Sequence, residues 1–378
     1  MKIKKQAMRF CITLLLCACL TTGCAGGELL DALGYYDTQE TIAVHSDGRY
    51  VYQTLSEQRR HTYDQMLTAL MNMQDSVRLS TQDQEEVQNC YEAICADYGE
   101  IFWVESCSTR IVSLLGFPVT MYFDVNYTLT PQQVGQYQAQ MMPKINEYLA
   151  LMDGCGSDYE KTELLYKKLI DEVSYDLESE NNQNILSVFL GGSTVCQGYA
   201  CAVQYLLQRA GIQCAIVTGT ARGEAHAWNL VRLDGDYYYL DATWGPASYR
   251  ASEELEDMAF EGVNFAYLNL TTEELFRTHE PKVTFELPVC ESTADSYFVK
   301  HGLYFDQWDV DEVGERLVQA YDGGERSISL KFSDEAELTA ACGYLIDEQH
   351  FRDYCTDTVT ICYLADTDLC ILNVFFVE

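Results

Sequence analysis

Cys196, His226 and Asp241 are the residues whose types and spacing could carry chemistry, and that chemistry is acyl transfer through a thiol. A thiol attacks a carbonyl as its thiolate, a form that a helix N-terminus and an adjacent imidazole both favour. Cys196 follows the loop Gly191-Gly192-Ser193-Thr194-Val195 and opens a segment that reads as a helix to about Ala210, stopped by Gly211. Backbone N–H groups at such a helix start could also receive a developing oxyanion. The base must come from elsewhere in the chain. His45, His61, His279, His301 and His350 lie in segments without a clear catalytic context, whereas His226 opens a strand in the run Glu224-Ala225-His226-Ala227-Trp228-Asn229.

Hairpin geometry places the third group. Asp234-Gly235 is a strong two-residue turn signal between the strand-like runs Ala227–Leu233 and Asp236–Ala242. A turn there without a bulge sets His226 opposite Thr243, with Asp241 as its diagonal neighbour on the same sheet face. Diagonal neighbours lie about 7–8 Å apart at Cα, within side-chain reach. Asp241 could then accept from one imidazole nitrogen while the other serves Cys196, the general arrangement of nucleophile, base and orienting acid.

The elements that must position these residues follow from periodicity and punctuation. Residues 52–73 predict an amphipathic helix, and a second starts near Ser80, with Asp83 completing a capping box. Ile101–Val104 and Met121–Val125 read as strands. Thr130 as N-cap, Pro131 at the first helical position and Gln133 mark a long helix ended by Gly154 and Gly156; another runs from about Asp158 to Val173. The Cys196 helix leads into a strand, Cys214–Thr218, and then the hairpin. Helix followed by antiparallel strands predicts an α+β fold. Beyond about residue 281 the character changes: Tyr297-Phe298-Val299, Ser327–Phe332 and Val359–Tyr363 read as strands, with short helices near 310–321 and 334–346. The resulting division is a leader over 1–24, a tether over 25–50, an N-terminal α/β region over 51–154, a catalytic core over 155–280 and a small C-terminal α+β module over 281–378.

Three motifs, Val195-Cys196-Gln197-Gly198-Tyr199-Ala200, His226-Ala227-Trp228-Asn229 and Leu240-Asp241-Ala242-Thr243-Trp244, resemble those of the transglutaminase-like superfamily, in that family's order and roughly its spacing. Ser187–Gly192, Tyr175 and the run Leu270–Leu275 with His279 resemble exported bacterial members. The likeness covers about 155–280, is weak over 50–150 and does not reach 281–378. It implies a papain-like core in which Cys196 attacks a carboxamide, His226 moves the proton and Asp241 holds the imidazole. The acyl thioester is then resolved by water or by an amine. It also implies that Trp228 and Trp244 pack beside the site. Trp103 and Tyr175 are candidates for a side-chain oxyanion donor, with core packing as the alternative for both, and Gln197 is a candidate lining residue.

Composition narrows the setting. A basic stretch with Lys2, Lys4, Lys5 and Arg9 precedes a short apolar run, Phe10–Leu20, and small residues then lead to Cys24. This reads as an export signal, too short for a comfortable membrane span, with a lipobox-like Cys24 (Cys19 is the rival). The formal charge of −34 argues against nucleic acid or anionic lipid as ligands. Of 16 cysteines, four lie in the leader; the others show no disulfide framework, no CxxC and no zinc-like spacing. No metal or cofactor is therefore expected. The reading is an extracytoplasmic, lipid-anchored cysteine enzyme, a transglutaminase-like protease or acyltransferase. Its expected substrates are peptide or protein amides, cell-wall peptide among them, with hydrolysis favoured over cross-linking. The alternative is a catalytically silent surface module that binds peptide or wall polymer in the same cleft.

Overall fold

The computed structural model describes residues 46, 48–114, 117–245, 263–355 and 360–377. The export signal, Cys24 and Cys19, and most of the 25–50 tether lie outside the described residues. Among those described, no helix is long and apolar enough to cross a membrane.

The fold is α+β, mixed helices and mainly antiparallel sheets, and the chain forms two compact units. The first comprises, in its described part, Ser46, Leu55–Ile94 and Trp103–Gln132. Helix α1 (Glu57–Met71) starts at Ser56, whose side chain accepts from the Arg59 N–H, and buries Tyr63, Met66, Leu67 and Leu70 at helical spacing. Strand β1 (Ser76–Leu79), helix α2 (Gln84–Asp97, its last three residues in the second unit) and strands β2 (Val104–Leu114) and β3 (Phe117–Tyr127) follow, the strands pairing antiparallel in the order β1-β3-β2. The α2 start differs from the expected one. Asp83 rather than Ser80 supplies the cap, its carboxylate accepting from the N–H groups of Glu85 and Glu86, while the Ser80 hydroxyl donates to Gln65. A charged acceptor suits the positive end of a helix better than a hydroxyl does.

The second unit holds the remaining described residues. Helix α3 (Pro131–Met152) begins at the expected proline, with its first two residues in the first unit, and α4 (Asp158–Glu172) is capped by Ser157. Two short parallel strands, β4 (Ser174–Tyr175) and β5 (Ser193–Thr194), pair just before α5 (Cys196–Arg209). The sheet that follows has the order β8-β7-β6-β9, built from β6 (Cys214–Ala221), β7 (Glu224–Leu233), β8 (Asp236–Leu240) and β9 (His279–Pro281). Helix α6 (Thr272–Leu275), closed by a reciprocal capping box between Thr271 and Glu274, leads into β9.

The C-terminal part of this unit builds a sheet of order β10-β11-β13-β12 from β10 (Tyr304–Phe305), β11 (Ser327–Phe332), β12 (Thr360–Asp366) and β13 (Ile371–Val377). Helices α7 (Val310–Asp322) and α8 (Glu335–Cys342) cover a core that includes Val313, Leu317, Leu330, Phe332, Leu338 and Leu372. Tyr297-Phe298-Val299 forms a helical turn, Tyr297–Lys300, not the expected strand. Phe298 is buried and Val299 exposed, so one anchor in the run decides its conformation over β propensity.

Asp366 ends β12 as a buried carboxyl that accepts from the N–H groups of Asp368 and Leu369. Burial, reinforced by the charge of Asp368, pushes it up to about 6. The folded state therefore holds that proton more tightly than the unfolded chain between about pH 4 and 6, and the stability gained is lost as pH rises through 6. Asp366→Asn keeps an acceptor oxygen without the charge. It is expected to raise stability at pH 7 by roughly 1–2 kcal/mol and to change little at pH 4, as urea titrations at the two pH values would show.

Candidate active site

Cys196 is the first residue of α5, after Val195 as an N-cap that makes no side-chain hydrogen bond. The first N–H groups of a helix have no partner within it, and they point past its start. The next turn is packed closely. A Cβ on Gly198 would sit 1.9 Å from Thr194 Oγ1 and 3.0 Å from the Asn182 carbonyl, so glycine lets α5 press against the preceding loop.

Further along α5, buried Gln204 accepts from the Gly99 N–H (2.9 Å) and donates to the Asp97 carbonyl, tying the helix to the segment 95–102. Asn229 on β7 donates to the Ala200 carbonyl at 2.9 Å, linking the strand of His226 to the helix of Cys196. Asn229→Ala would leave that buried carbonyl without this donor. It is expected to lower stability by about 1–3 kcal/mol and to slow alkylation of Cys196, both measurable on the purified protein.

The β7–β8 register runs from Leu233↔Asp236 to Asn229↔Leu240, as a bulge-free turn requires, and Asp234 and Gly235 have φ of 49° and 107°. The ladder stops at Leu240, however, so Thr243 does not face His226. Asp241 leaves the strand, donates its N–H to the Tyr267 carbonyl and caps the turn Ala242–Trp244, its Oδ1 accepting from the Thr243 N–H at 2.9 Å. Its Oδ2 lies 2.9 Å from His226 Nε2. With Nε2 engaged, Nδ1 is the nitrogen left to face Cys196, whose side chain is among the groups that act on the imidazole. The structure thus brings the three residues together.

Burial disfavours the charged imidazole of His226, but the charge and hydrogen bond of Asp241, followed by the hydrogen bond to Cys196, outweigh it and push His226 up to about 10. Burial also opposes the carboxylate of Asp241, yet His226 and then His279 hold it well below the usual range. Cys201 lies one turn after Cys196. It is buried, receives an N–H from Gln197 at 3.4 Å, and burial pushes its thiol up to about 12.

The other candidates are distributed unevenly. Trp228 and Trp244 flank the His226 ring, with centroids 6.2 and 5.6 Å away, but both are buried and support it from within the core. Gln197 turns toward Cys201. Tyr175, 43% exposed, has its phenol raised by burial and then by Cys196, Glu224 and Asp241, which puts it within electrostatic reach of the thiol. Trp103 lies in the first unit, buried, with its indole N–H donating to the Leu70 carbonyl at 3.0 Å.

One residue of the site escapes the sequence reading. His279 Nε2 lies 3.3 Å from the same Asp241 Oδ2, and its Nδ1 lies 2.8 Å from Thr278 Oγ1. The sequence signal available was the run Leu270–Leu275 leading to His279, noted there without a role. Among the described residues, His226, Asp241 and His279 are the group whose ligating atoms lie close enough to consider a metal, within 4.8 Å of one another. The spacings of 2.9 and 3.3 Å are those of imidazole N–H groups donating to a carboxylate, which accounts for the cluster without an ion.

Residues 147–242 match the model of the transglutaminase-like superfamily. The kyphoscoliosis peptidases of Mus musculus and Homo sapiens are 26% and 25% identical over 126 and 112 residues, 29% and 25% of this chain and 19% and 17% of those proteins. The chain thus spans about a fifth of the length of these curated relatives. Similar solved structures include a TGase (13% identity, TM-score 0.28, 47% of this chain and 55% of that one) and the periplasmic domain of TgpA from Pseudomonas aeruginosa (16%, 0.24, 37% and 62%).

Proposed function

We propose that the transglutaminase-like core of this chain is a cysteine acyl-transfer enzyme acting on peptide or protein amides. The observation that carries the reading is the contact of His226 with Asp241 Oδ2, in electrostatic reach of a cysteine at the first position of a helix. In the proposed reaction Cys196 Sγ bonds to the carbonyl carbon of a carboxamide, and the thiol proton passes to His226. The oxyanion of the tetrahedral intermediate faces the N–H groups at the start of α5. The C–N bond then breaks, His226 protonates the leaving amine, and an acyl thioester remains on Cys196. Water or a primary amine attacks that thioester, gives its proton to His226 and releases the thiol. Asp241 holds the imidazole so that Nδ1 faces the sulfur.

Hydrolysis is the favoured outcome, because water is always present and nothing among the described residues marks a dedicated amine site. We further propose that the protein works outside the cytoplasm on a lipid anchor at Cys24, cell-surface peptide being its substrate. Support for this is the basic and apolar leader and the cysteine that follows it. The test of the reaction is incubation of the protein and its Cys196→Ala variant with a glutamine-rich unfolded protein and a tagged primary amine, read by mass spectrometry. Amine incorporation that needs Cys196 means cross-linking; cleavage or deamidation without incorporation means hydrolysis. No Cys196-dependent product with these or with wall peptides would favour the silent binding module.

A further inference from the structure

Asp241 carries two imidazoles on one oxygen, and a nucleophile–base–acid arrangement calls for only one. The sheet explains how both reach it. In the ladder, His226 pairs with Gly219 and Glu224 with Ala221 on one side of β6, while Pro281 pairs with Gly219 and His279 with Ala221 on the other. Side chains alternate along a strand, so His226, Gly219, Ala221 and His279 share one face. The strand between the two histidines presents only a glycine and an alanine there, and the imidazoles lean over it to a centroid separation of 5.4 Å. At Gly219 even a Cβ would lie 2.1 Å from the Glu280 carbonyl oxygen.

His279 is itself fixed. Its side chain is wholly buried, with Trp244, Trp228 and Tyr267 at centroid distances of 4.7, 5.0 and 6.0 Å. One tautomer serves both of its polar contacts when the Thr278 hydroxyl gives its proton to Nδ1 at 2.8 Å rather than to the Leu275 carbonyl at 3.3 Å: Nε2–H then donates to Asp241 Oδ2. The reverse tautomer would set a lone pair against the carboxylate. Asp241 is 1% exposed and has no water-facing side. The Thr243 N–H, His226 and His279 are three donors for a carboxylate whose oxygens can accept about four hydrogen bonds.

We propose that His279 is a positioning residue of the reaction centre: it holds the Asp241 carboxylate charged and aimed at His226 while the His226 proton is in transit between Cys196 and the leaving group. With Thr243 and His226 alone, the buried carboxylate would lose one of two remaining donors whenever His226 shifts. With His279 present, Oδ2 stays anchored. The role rests on the reading of Cys196, His226 and Asp241 as the reacting set, but its test needs no amide substrate.

The test is the rate of Cys196 alkylation by iodoacetamide, followed at that one peptide by mass spectrometry from pH 5 to 9, alongside thermal unfolding. The full-length protein would be compared with His279→Leu, which fills the space without a donor, and His279→Gln, whose amide can still donate to Asp241. His279→Leu is expected to slow alkylation about tenfold at pH 7 and to change the shape of the pH profile, with His279→Gln within about threefold of the native rate. Should His279→Leu not fold, Thr278→Val removes the partner that fixes the tautomer and is expected to slow alkylation at least twofold. Native reactivity in a folded His279→Leu, or in Thr278→Val where that variant stands in, would overturn the proposal. So would equal losses in the Leu and Gln variants that follow their loss of stability, because packing alone would then account for His279. If the amide assay shows no product yet alkylation responds as expected, the acyl-transfer reading fails and the positioning role stands.

Discussion

Asp241→Asn is expected to slow the Cys196-dependent reaction on the order of 10⁴-fold and to destabilise the protein by about 2–4 kcal/mol. Both effects come from one geometry. The carboxylate is fully buried and faces three donors: the Thr243 N–H on Oδ1, and His226 and His279 on Oδ2. An amide is almost the same shape, but one of its ends donates. If the oxygen keeps the Thr243 N–H, the amide NH₂ meets two imidazole N–H groups; if it turns, the cap of the Ala242–Trp244 turn is lost. Either way His226 loses the charge that raises it to about 10, and in the first orientation it also loses the acceptor that keeps Nδ1 toward the sulfur.

The pH dependence of the stability difference follows in sign. His226 is raised above its ordinary value, so its contribution is full below about pH 6.5 and fades as pH rises toward 10. Asp241 is lowered, so its contribution is full above about pH 4 and fades as pH falls. Native and variant proteins should therefore differ most between about pH 4 and 7 and converge at both extremes. Urea titrations across pH, together with the amide assay, would measure the two effects; a variant with native turnover would remove Asp241 from the mechanism.

Cys196→Ala is the complementary case, a loss of chemistry with little loss of fold. The side chain is half-buried at a helix start, where alanine is an acceptable residue. Turnover is expected to fall by about 10⁵-fold or to background, with stability changed by no more than about 1 kcal/mol. Product analysis and a melting curve on the same preparation would settle it. The other buried thiols do not offer a substitute: burial pushes Cys201, Cys90 and Cys290 up to about 12, far from a reactive state at neutral pH.

What was legible in the sequence was local. Asp234-Gly235 fixes the hairpin register because two consecutive positive-φ residues close the turn and alternation does the rest. Pro131 marks the start of α3, and α4 begins at Asp158 as expected. Less legible was whatever depends on a distant partner. The β7–β8 ladder stops short of Thr243 because Tyr267 takes the Asp241 N–H, a contact across 26 residues of chain. His279 joins the site only because β9 pairs with β6, and nothing in Thr278-His279-Glu280 announces that pairing. Tyr297-Phe298-Val299 has the composition of a strand and becomes a helical turn around one buried phenylalanine.

The placement of Cys196 at the first position of α5 sets a rule for length variation in this chain. The helix is clamped downstream of the cysteine, by Tyr199 to the Val173 carbonyl, by the Ala200 carbonyl to Asn229, and by Gln204 to Asp97 and Gly99. A residue added in the loop segment ahead of β5 leaves the phase of α5 unchanged, and the sulfur keeps its azimuth. A residue added between Cys196 and Tyr199 advances the cysteine by about 100° around the helix axis and about 1.5 Å along it, which swings the thiol off His226. Upstream of the cysteine, insertions and deletions are a matter of loop entropy; within the three positions after it they are a matter of phase, and lineages that drift in length there would keep the fold and lose the reaction.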